Sequence, residues 1–259
     1  MFELGAVFWI TAVFTVILVG IAKGGFGGGP AAIATPLLSL VMPVPAAAAL
    51  LLPILIVADI FSVQHYYKQV HVPSLRALLP GALAGILLGS LFFHQFNDDE
   101  RVLKVGIGII AVGFVLYQGV RSRLMRSLAA SRPSLLKGSV WGTIAGFTST
   151  LAHVGGPPAA IYLLPQQLRR NLFVGTTAVL FFIINVVKLI PYAWLGLLQI
   201  GNLPTILLLL PFAFIGVKLG ILLNRRFTDT WFNRVVHGLL LLVGIQLILG
   251  QSLVGLLLN

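Results

Sequence analysis

Long apolar segments separated by short polar connections run along nearly the whole chain. These segments lie at 5–22, 31–44, 46–63, 74–96, 102–120, 138–154, 158–168, 172–190, 203–224 and 235–258. Most are close to the roughly 20 residues that a helix needs to cross a bilayer, whereas 31–44 and 158–168 are shorter. None alternates polar and apolar residues as an outer-membrane strand does. The pattern therefore predicts an all-α, polytopic membrane protein with about eight to ten transmembrane segments.

The composition excludes most other protein classes. Of the 259 residues, 58% are hydrophobic and only 9% are charged, whereas soluble domains carry about 25% charged residues. The net charge of +11 would suit a nucleic-acid partner. However, the basic residues lie between apolar runs, so we expect a lipid bilayer around the chain and no nucleic acid. The chain has no cysteine, which excludes disulfides and thiolate ligands.

The basic residues predict the orientation, because Lys and Arg concentrate in cytoplasmic loops. If the basic stretch 121–137 is cytoplasmic, only Arg101 and Lys104 fall outside. Thirteen basic residues then lie inside, Lys23 on the condition that the first segment spans fully: Lys23, Lys68, Arg76, Arg121, Arg123, Arg126, Arg132, Lys137, Arg169, Arg170, Arg225, Arg226 and Arg234. We therefore expect a multi-pass protein of a prokaryotic inner membrane with both termini outside. The first segment follows MFEL, which has no basic residue, so we read it as a retained helix rather than a signal peptide.

The two halves of the chain resemble each other. Leu78-Leu79-Pro80, Gly85 and Gly89 recur as Leu209-Leu210-Pro211, Gly216 and Gly220 at a constant spacing of 131. Each half has five segments, an odd number, so the second half would insert upside down, as in many secondary transporters. We predict a first repeat at 1–120, a cytoplasmic linker at 121–137 and a second repeat at 138–259. The paired glycines are read as sites of close helix packing rather than as ligands.

A glycine-rich break interrupts the apolar pattern once in each half. The first is KGGFGGGP at 23–30 and the second is AHVGGPP at 152–158. A helix that starts after such a break presents free N–H groups and a positive dipole end, which suit a small anion. Hairpins 5–44 and 138–168, each followed by three helices, could span fully or be re-entrant, and their short second segments favour re-entrant hairpins. The candidate binding glycines are Gly25, Gly27, Gly28, Gly29, Gly155 and Gly156.

Polar side chains accompany these breaks. Lys23 is either a buried cation that needs an anionic partner or a residue that snorkels to the interface. His153, preceded by Thr148 and Ser149, could bind an anion, carry a proton or be a hydrogen-bonded core residue. Asn185 could donate to an anion without adding a buried charge.

The remaining buried candidates are charged. Asp59 is the one acid inside an apolar segment. It could carry a proton, although pairing with Lys23, Lys68 or Arg76 is the safer interpretation. Lys188 and Lys218 are expected to snorkel, because each lies close to the end of its segment.

These motifs resemble the TauE/SafE family of sulfite-exporter and organosulfonate permease transporters. The residues that carry the resemblance are KGGFGGGPAAIATPLL at 23–38, AHVGGPPAAIYLLP at 152–165, LLPGALAGILLG at 78–89 and LLPFAFIGVKLG at 209–220. The resemblance implies a secondary transporter for a small sulfur anion, either sulfite or an organosulfonate such as sulfoacetate, working most simply by export.

The alternatives are an anion channel and a permease that imports a different small anion. The chain has no HExxH, no Gly-x-Ser-x-Gly and no Walker motif, so we expect no enzyme activity, no cofactor and no metal. Association into a homodimer is a further expectation.

Overall fold

Ten α-helices form the part of the protein that the structure describes. It is a computed structural model that describes residues 5–26, 29–96, 99–124, 131–226 and 229–250. The helices are α1 Ala6–Gly25, α2 Ala34–Leu38, α3 Val44–Tyr66, α4 Val72–Phe96, α5 Glu100–Leu124, α6 Leu135–Ala152, α7 Gly156–Leu163, α8 Arg170–Trp194, α9 Leu203–Arg226 and α10 Asp229–Leu249. Short 3-10 helices occupy Gly29–Ile33, Leu164–Gln166 and Ile200–Asn202. These residues contain no strand, so the all-α prediction is confirmed.

Six of these helices are long and apolar enough to cross a membrane, namely α1, α3, α4, α5, α8 and α9. The sequence predicted eight to ten such segments. Helix α6 falls short because glycine, serine and threonine dilute its apolar residues, and the apolar part of α10, Val235–Leu249, is shorter. Large apolar side chains also cover the outside of the helices, as Leu87, Ile190 and Leu208 show. Such a surface suits lipid rather than water, and the chain is a multi-pass membrane protein.

Two short helices follow the two glycine-rich breaks, as the sequence predicted. The first consists of the 3-10 helix Gly29–Ile33 and α2, and the second of α7 and Leu164–Gln166. At 1.5 to 2.0 Å per residue, each extends about 18 Å. Neither can cross a hydrocarbon core of about 30 Å.

The long helices pack in pairs that join the two halves of the chain. Helix α1 packs on α9, α4 on α6, α3 on α8 and α5 on α10. A Cβ on Gly85 would lie 2.0 Å from the Thr143 carbonyl oxygen, and one on Gly216 would lie 2.6 Å from the Ile17 carbonyl oxygen. Because a Cβ cannot fit at these distances, the glycines allow the paired backbones to touch. The close-packing prediction is therefore confirmed.

Candidate functional site

The break between α6 and α7 is a left-handed turn at His153. Its φ is 56°, and its N–H donates to the Ser149 carbonyl oxygen at 3.0 Å. Helix α7 then begins at Gly156. Pro157 and Pro158 have no N–H, so the start of α7 offers only the backbone donors of Gly155 and Gly156. The start of α7 therefore has fewer free N–H groups than the sequence predicted for a helix that begins after a break.

The other break follows α1, whose last turn is closed by the Phe26 N–H donating to the Ala22 carbonyl oxygen at 2.9 Å. A Cβ on Gly25 would lie 2.3 Å from the Gly220 carbonyl oxygen. Gly25 therefore allows α1 to pack tightly on α9. Gly27 and Gly28 lie outside the described residues, and Gly29 begins the 3-10 helix.

A small buried cavity of about 20 Å³ lies where the two breaks meet α3 and α8. It has room for about one water molecule. Its lining is Lys23, Ala31, Leu55, Ser149, His153, Gly156, Phe181 and Asn185. The structure thus brings together five of the residues that the sequence singled out, namely Lys23, Ser149, His153, Gly156 and Asn185.

An ion pair joins the end of α1 to the middle of α3. The Lys23 ammonium donates to Oδ1 of Asp59, while Asn185 Nδ2 donates to Oδ2 of the same carboxylate at 2.6 Å. Lys23, Asp59 and Asn185 are all at least 93% buried. The sequence offered Lys23, Lys68 and Arg76 as partners for Asp59, and Lys23 is the one that forms the ion pair. Because both carboxylate oxygens are engaged, this cluster ties α1, α3 and α8 together at the cavity wall.

Lys188 lies in the interior, and the prediction that it snorkels is wrong. Its exposure is 0%. Its Nζ donates to the Ser149 carbonyl oxygen at 2.9 Å and to the Ser149 hydroxyl at 3.1 Å, and lies 2.7 Å from His153 Nδ1. The broken end of α6 supplies these acceptors, so Lys188 faces α6 instead of the membrane surface. Lys218, the other lysine expected to snorkel, is exposed, with its Nζ 4.4 Å from the centre of the Phe214 ring.

A signal for Lys188 was present in the sequence. Asn185 and Lys188 are three residues apart, so they share one face of α8. That face also carries the amide that was already a candidate for the site.

His153 is a hydrogen-bonded core residue that also lines the cavity. Its Nε2 lies 2.9 Å from the Ala48 carbonyl oxygen, an acceptor, so Nε2 carries a proton. The other nitrogen, Nδ1, lies 2.7 Å from Lys188 Nζ, so both ring nitrogens are engaged. Opposite a protonated Lys188, which has donors only, Nδ1 accepts and the ring is neutral.

Thr148 does not line the cavity. Its hydroxyl lies 2.8 Å from the Ile144 carbonyl oxygen and 3.0 Å from the Val154 carbonyl oxygen. It stabilises the end of α6, and the neighbouring Ser149 provides the hydroxyl of the site.

Two larger cavities lie along α8 on either side of the small one. One, of about 310 Å³, is lined by residues that include Gly25, Leu163 and Val174. The other, of about 220 Å³, is lined by residues that include Leu189 and Leu203. Along α8, Val174 precedes the cavity residues Phe181 and Asn185, and Leu189 follows them. The small cavity thus separates two wider spaces.

We predict that Lys23 and Asp59 are energetically coupled. Lys23→Met should lower the stability by about 3–5 kcal/mol, because it leaves the Asp59 carboxylate buried without its countercharge. Asp59→Asn should also destabilise the protein, whereas the double substitution should recover most of the loss. Thermal unfolding of the four purified proteins in detergent measures this coupling, and Lys218→Met serves as a control at an exposed lysine. Additive losses in the double variant would contradict a direct pair.

One family model matches the chain over nearly its whole length. A model of the family described as sulfite exporter TauE/SafE matches residues 12–247, which include both helix breaks and every residue that lines the cavity. No curated protein and no solved structure matches the chain. Because the match covers nearly the whole sequence, the chain belongs to the sulfite exporter TauE/SafE family of membrane transporters.

Proposed function

We propose that the protein is a secondary transporter that moves sulfite or an organosulfonate across the cytoplasmic membrane. The observation that carries the proposal is the buried cavity at the two helix breaks, which gathers cations and neutral donors in an apolar protein. Ionisable groups at such positions mark substrate pathways. Because the interior of a cell is negative, anion export gains about 2.3 kcal/mol per charge per 100 mV, and export is the favoured direction.

The donors around the cavity suit a sulfur oxyanion. A sulfonate offers three acceptor oxygens, and the residues that line the cavity include Gly156, Asn185 and Lys23, which carry a backbone N–H, an amide and an ammonium as donors. The Ser149 hydroxyl accepts from Lys188, which leaves its own proton for the substrate. Substrate binding must widen the cavity, because its volume is about 20 Å³.

We further propose that transport occurs by alternating access between two inverted repeats whose short hairpins are re-entrant. Three observations support this architecture. The pairs α1–α9 and α4–α6 each join the first long helix of one half to the fourth helix of the other. The two short helices are too short to cross the membrane. The small cavity lies between two larger ones, so a shift of one hairpin could open it to either side in turn.

The proposed orientation places both termini outside, with most of the basic loop residues on the cytoplasmic side. Because the chain has no cysteine, a single cysteine added before Met1 gives an unambiguous label. We expect an impermeant maleimide to label it in intact cells. Labelling that requires cell lysis would contradict the orientation.

Counterflow of labelled sulfite tests the transporter proposal. In proteoliposomes, unlabelled internal sulfite should accelerate uptake of labelled sulfite several-fold, and uptake should saturate, because a transporter exchanges substrate through one site.

Ser149→Ala should weaken the apparent affinity for sulfite about tenfold through the loss of one hydrogen bond to a charged group. Ser139→Ala, on the same helix but away from the cavity, is the matched control.

The alternative of an anion channel predicts a different result. Flux through a static pore would rise with concentration without acceleration by internal substrate. Such a result, or uptake equal to that of protein-free liposomes, would contradict the transporter proposal.

A further inference from the structure

We propose that the cavity holds one uncompensated positive charge, on Lys188, and that it therefore selects singly charged anions over doubly charged and neutral compounds. This inference rests on the proposed function, since it defines the substrate class of the same site. It follows from a count of the charges around the cavity.

The first two charges cancel. Lys23 and Asp59 form an ion pair, and the second carboxylate oxygen of Asp59 accepts from the neutral amide of Asn185. Both oxygens are thus engaged without Lys188. The pair contributes no net charge to the cavity.

His153 contributes no charge either. Its contact with the Ala48 carbonyl oxygen requires a proton on Nε2. With the proposed charge on Lys188, that ammonium has donors only, so Nδ1 presents its lone pair and the imidazole is neutral.

The remaining group is Lys188. A carbonyl oxygen, a hydroxyl oxygen and a ring nitrogen surround its Nζ, which matches the three donors of an ammonium. Among the described residues, no carboxylate lies within ion-pair distance of it. Apart from Asp59, the acids of the chain are Glu3, Asp98, Asp99, Glu100 and Asp229, and none of these lies within an apolar segment.

An uncompensated buried cation is costly in a membrane protein. The three atoms around its Nζ belong to two residues, Ser149 and His153. Both of these residues line the cavity, so Lys188 lies directly behind the cavity wall. A bound monoanion would supply the missing negative charge. A dianion would leave one excess negative charge, and a neutral compound would leave Lys188 uncompensated. Lys188 is thus a positioning residue. It lies behind the residues that line the cavity, and its charge sets the preference for the charge of the bound anion electrostatically.

Three two-carbon sulfonates of similar size separate charge from shape. At neutral pH, taurine has no net charge, 2-hydroxyethanesulfonate has one negative charge and sulfoacetate has two. We would measure the binding of each compound, and of sulfite as a reference anion, to the purified protein. In the unsubstituted protein, 2-hydroxyethanesulfonate should bind about tenfold more tightly than either of the other two sulfonates. A difference of about tenfold in affinity is what the interaction of one unit charge produces across a partly screened distance.

Three variants test the charge count. Asp59→Asn raises the charge of the cavity to +2 and should shift the preference towards sulfoacetate. Adding Lys23→Met to that variant restores +1 and should restore the preference for 2-hydroxyethanesulfonate. Lys188→Met lowers the charge to zero and should abolish the discrimination against taurine. If these residues had a purely structural role, the substitutions would weaken the binding of all compounds together without changing their order of affinity.

The results distinguish a failure of the charge inference from a failure of the proposed function. If sulfite binds but sulfoacetate equals or exceeds 2-hydroxyethanesulfonate in the unsubstituted protein, the charge inference is overturned. An order of preference that stays the same in Asp59→Asn would overturn it as well. If neither sulfite nor any of the sulfonates binds, the proposed function itself fails.

Discussion

The ion pair between Lys23 and Asp59 is the interaction on which the rest of the site depends. A lone carboxylate in the middle of a transmembrane helix is costly, and the pair removes that cost by drawing the broken end of α1 against α3. Asn185 attaches α8 to the same carboxylate. Three elements distant in sequence thus meet at one point, and they form much of the cavity wall. Because the pair is internally neutral, the charge that remains at the site belongs to Lys188.

Contacts between helix backbones bring the two breaks to this point. Helix α1 can approach α9 closely because Gly25 and Gly216 have no side chain, and Gly85 does the same where α4 meets α6. Each contact brings one broken hairpin against a helix of the other half. The cavity between α3 and α8 therefore receives one wall from each half of the chain. This arrangement is what a mechanism of opposing movements between the halves requires.

Much of this site could be predicted from residue type, because glycine breaks, a buried acid and a buried amide are rare in apolar segments. The helices and both breaks follow from the same pattern. Which face of a helix points inwards depends on packing instead. Thr148 and Ser149 are neighbours, yet a rotation of about 100° per residue places only Ser149 on the cavity. The closeness of Lys188 to the end of its apolar segment predicts a snorkelling residue, whereas its position around α8 turns it towards the end of α6. Gly25 similarly serves packing, because its neighbour is the backbone of α9.

An anion site in this cavity is tested most directly by asking whether a bound anion protects position 149 from alkylation. Because the chain has no cysteine, Ser149→Cys provides a single thiol at the cavity, and Ser139→Cys provides a matched thiol elsewhere on α6. Alkylation by a membrane-permeant maleimide would be timed in proteoliposomes with and without 2-hydroxyethanesulfonate. We expect the sulfonate to slow alkylation at position 149 several-fold and to leave the rate at position 139 unchanged. Equal rates at position 149 under saturating sulfonate would contradict an anion site in this cavity.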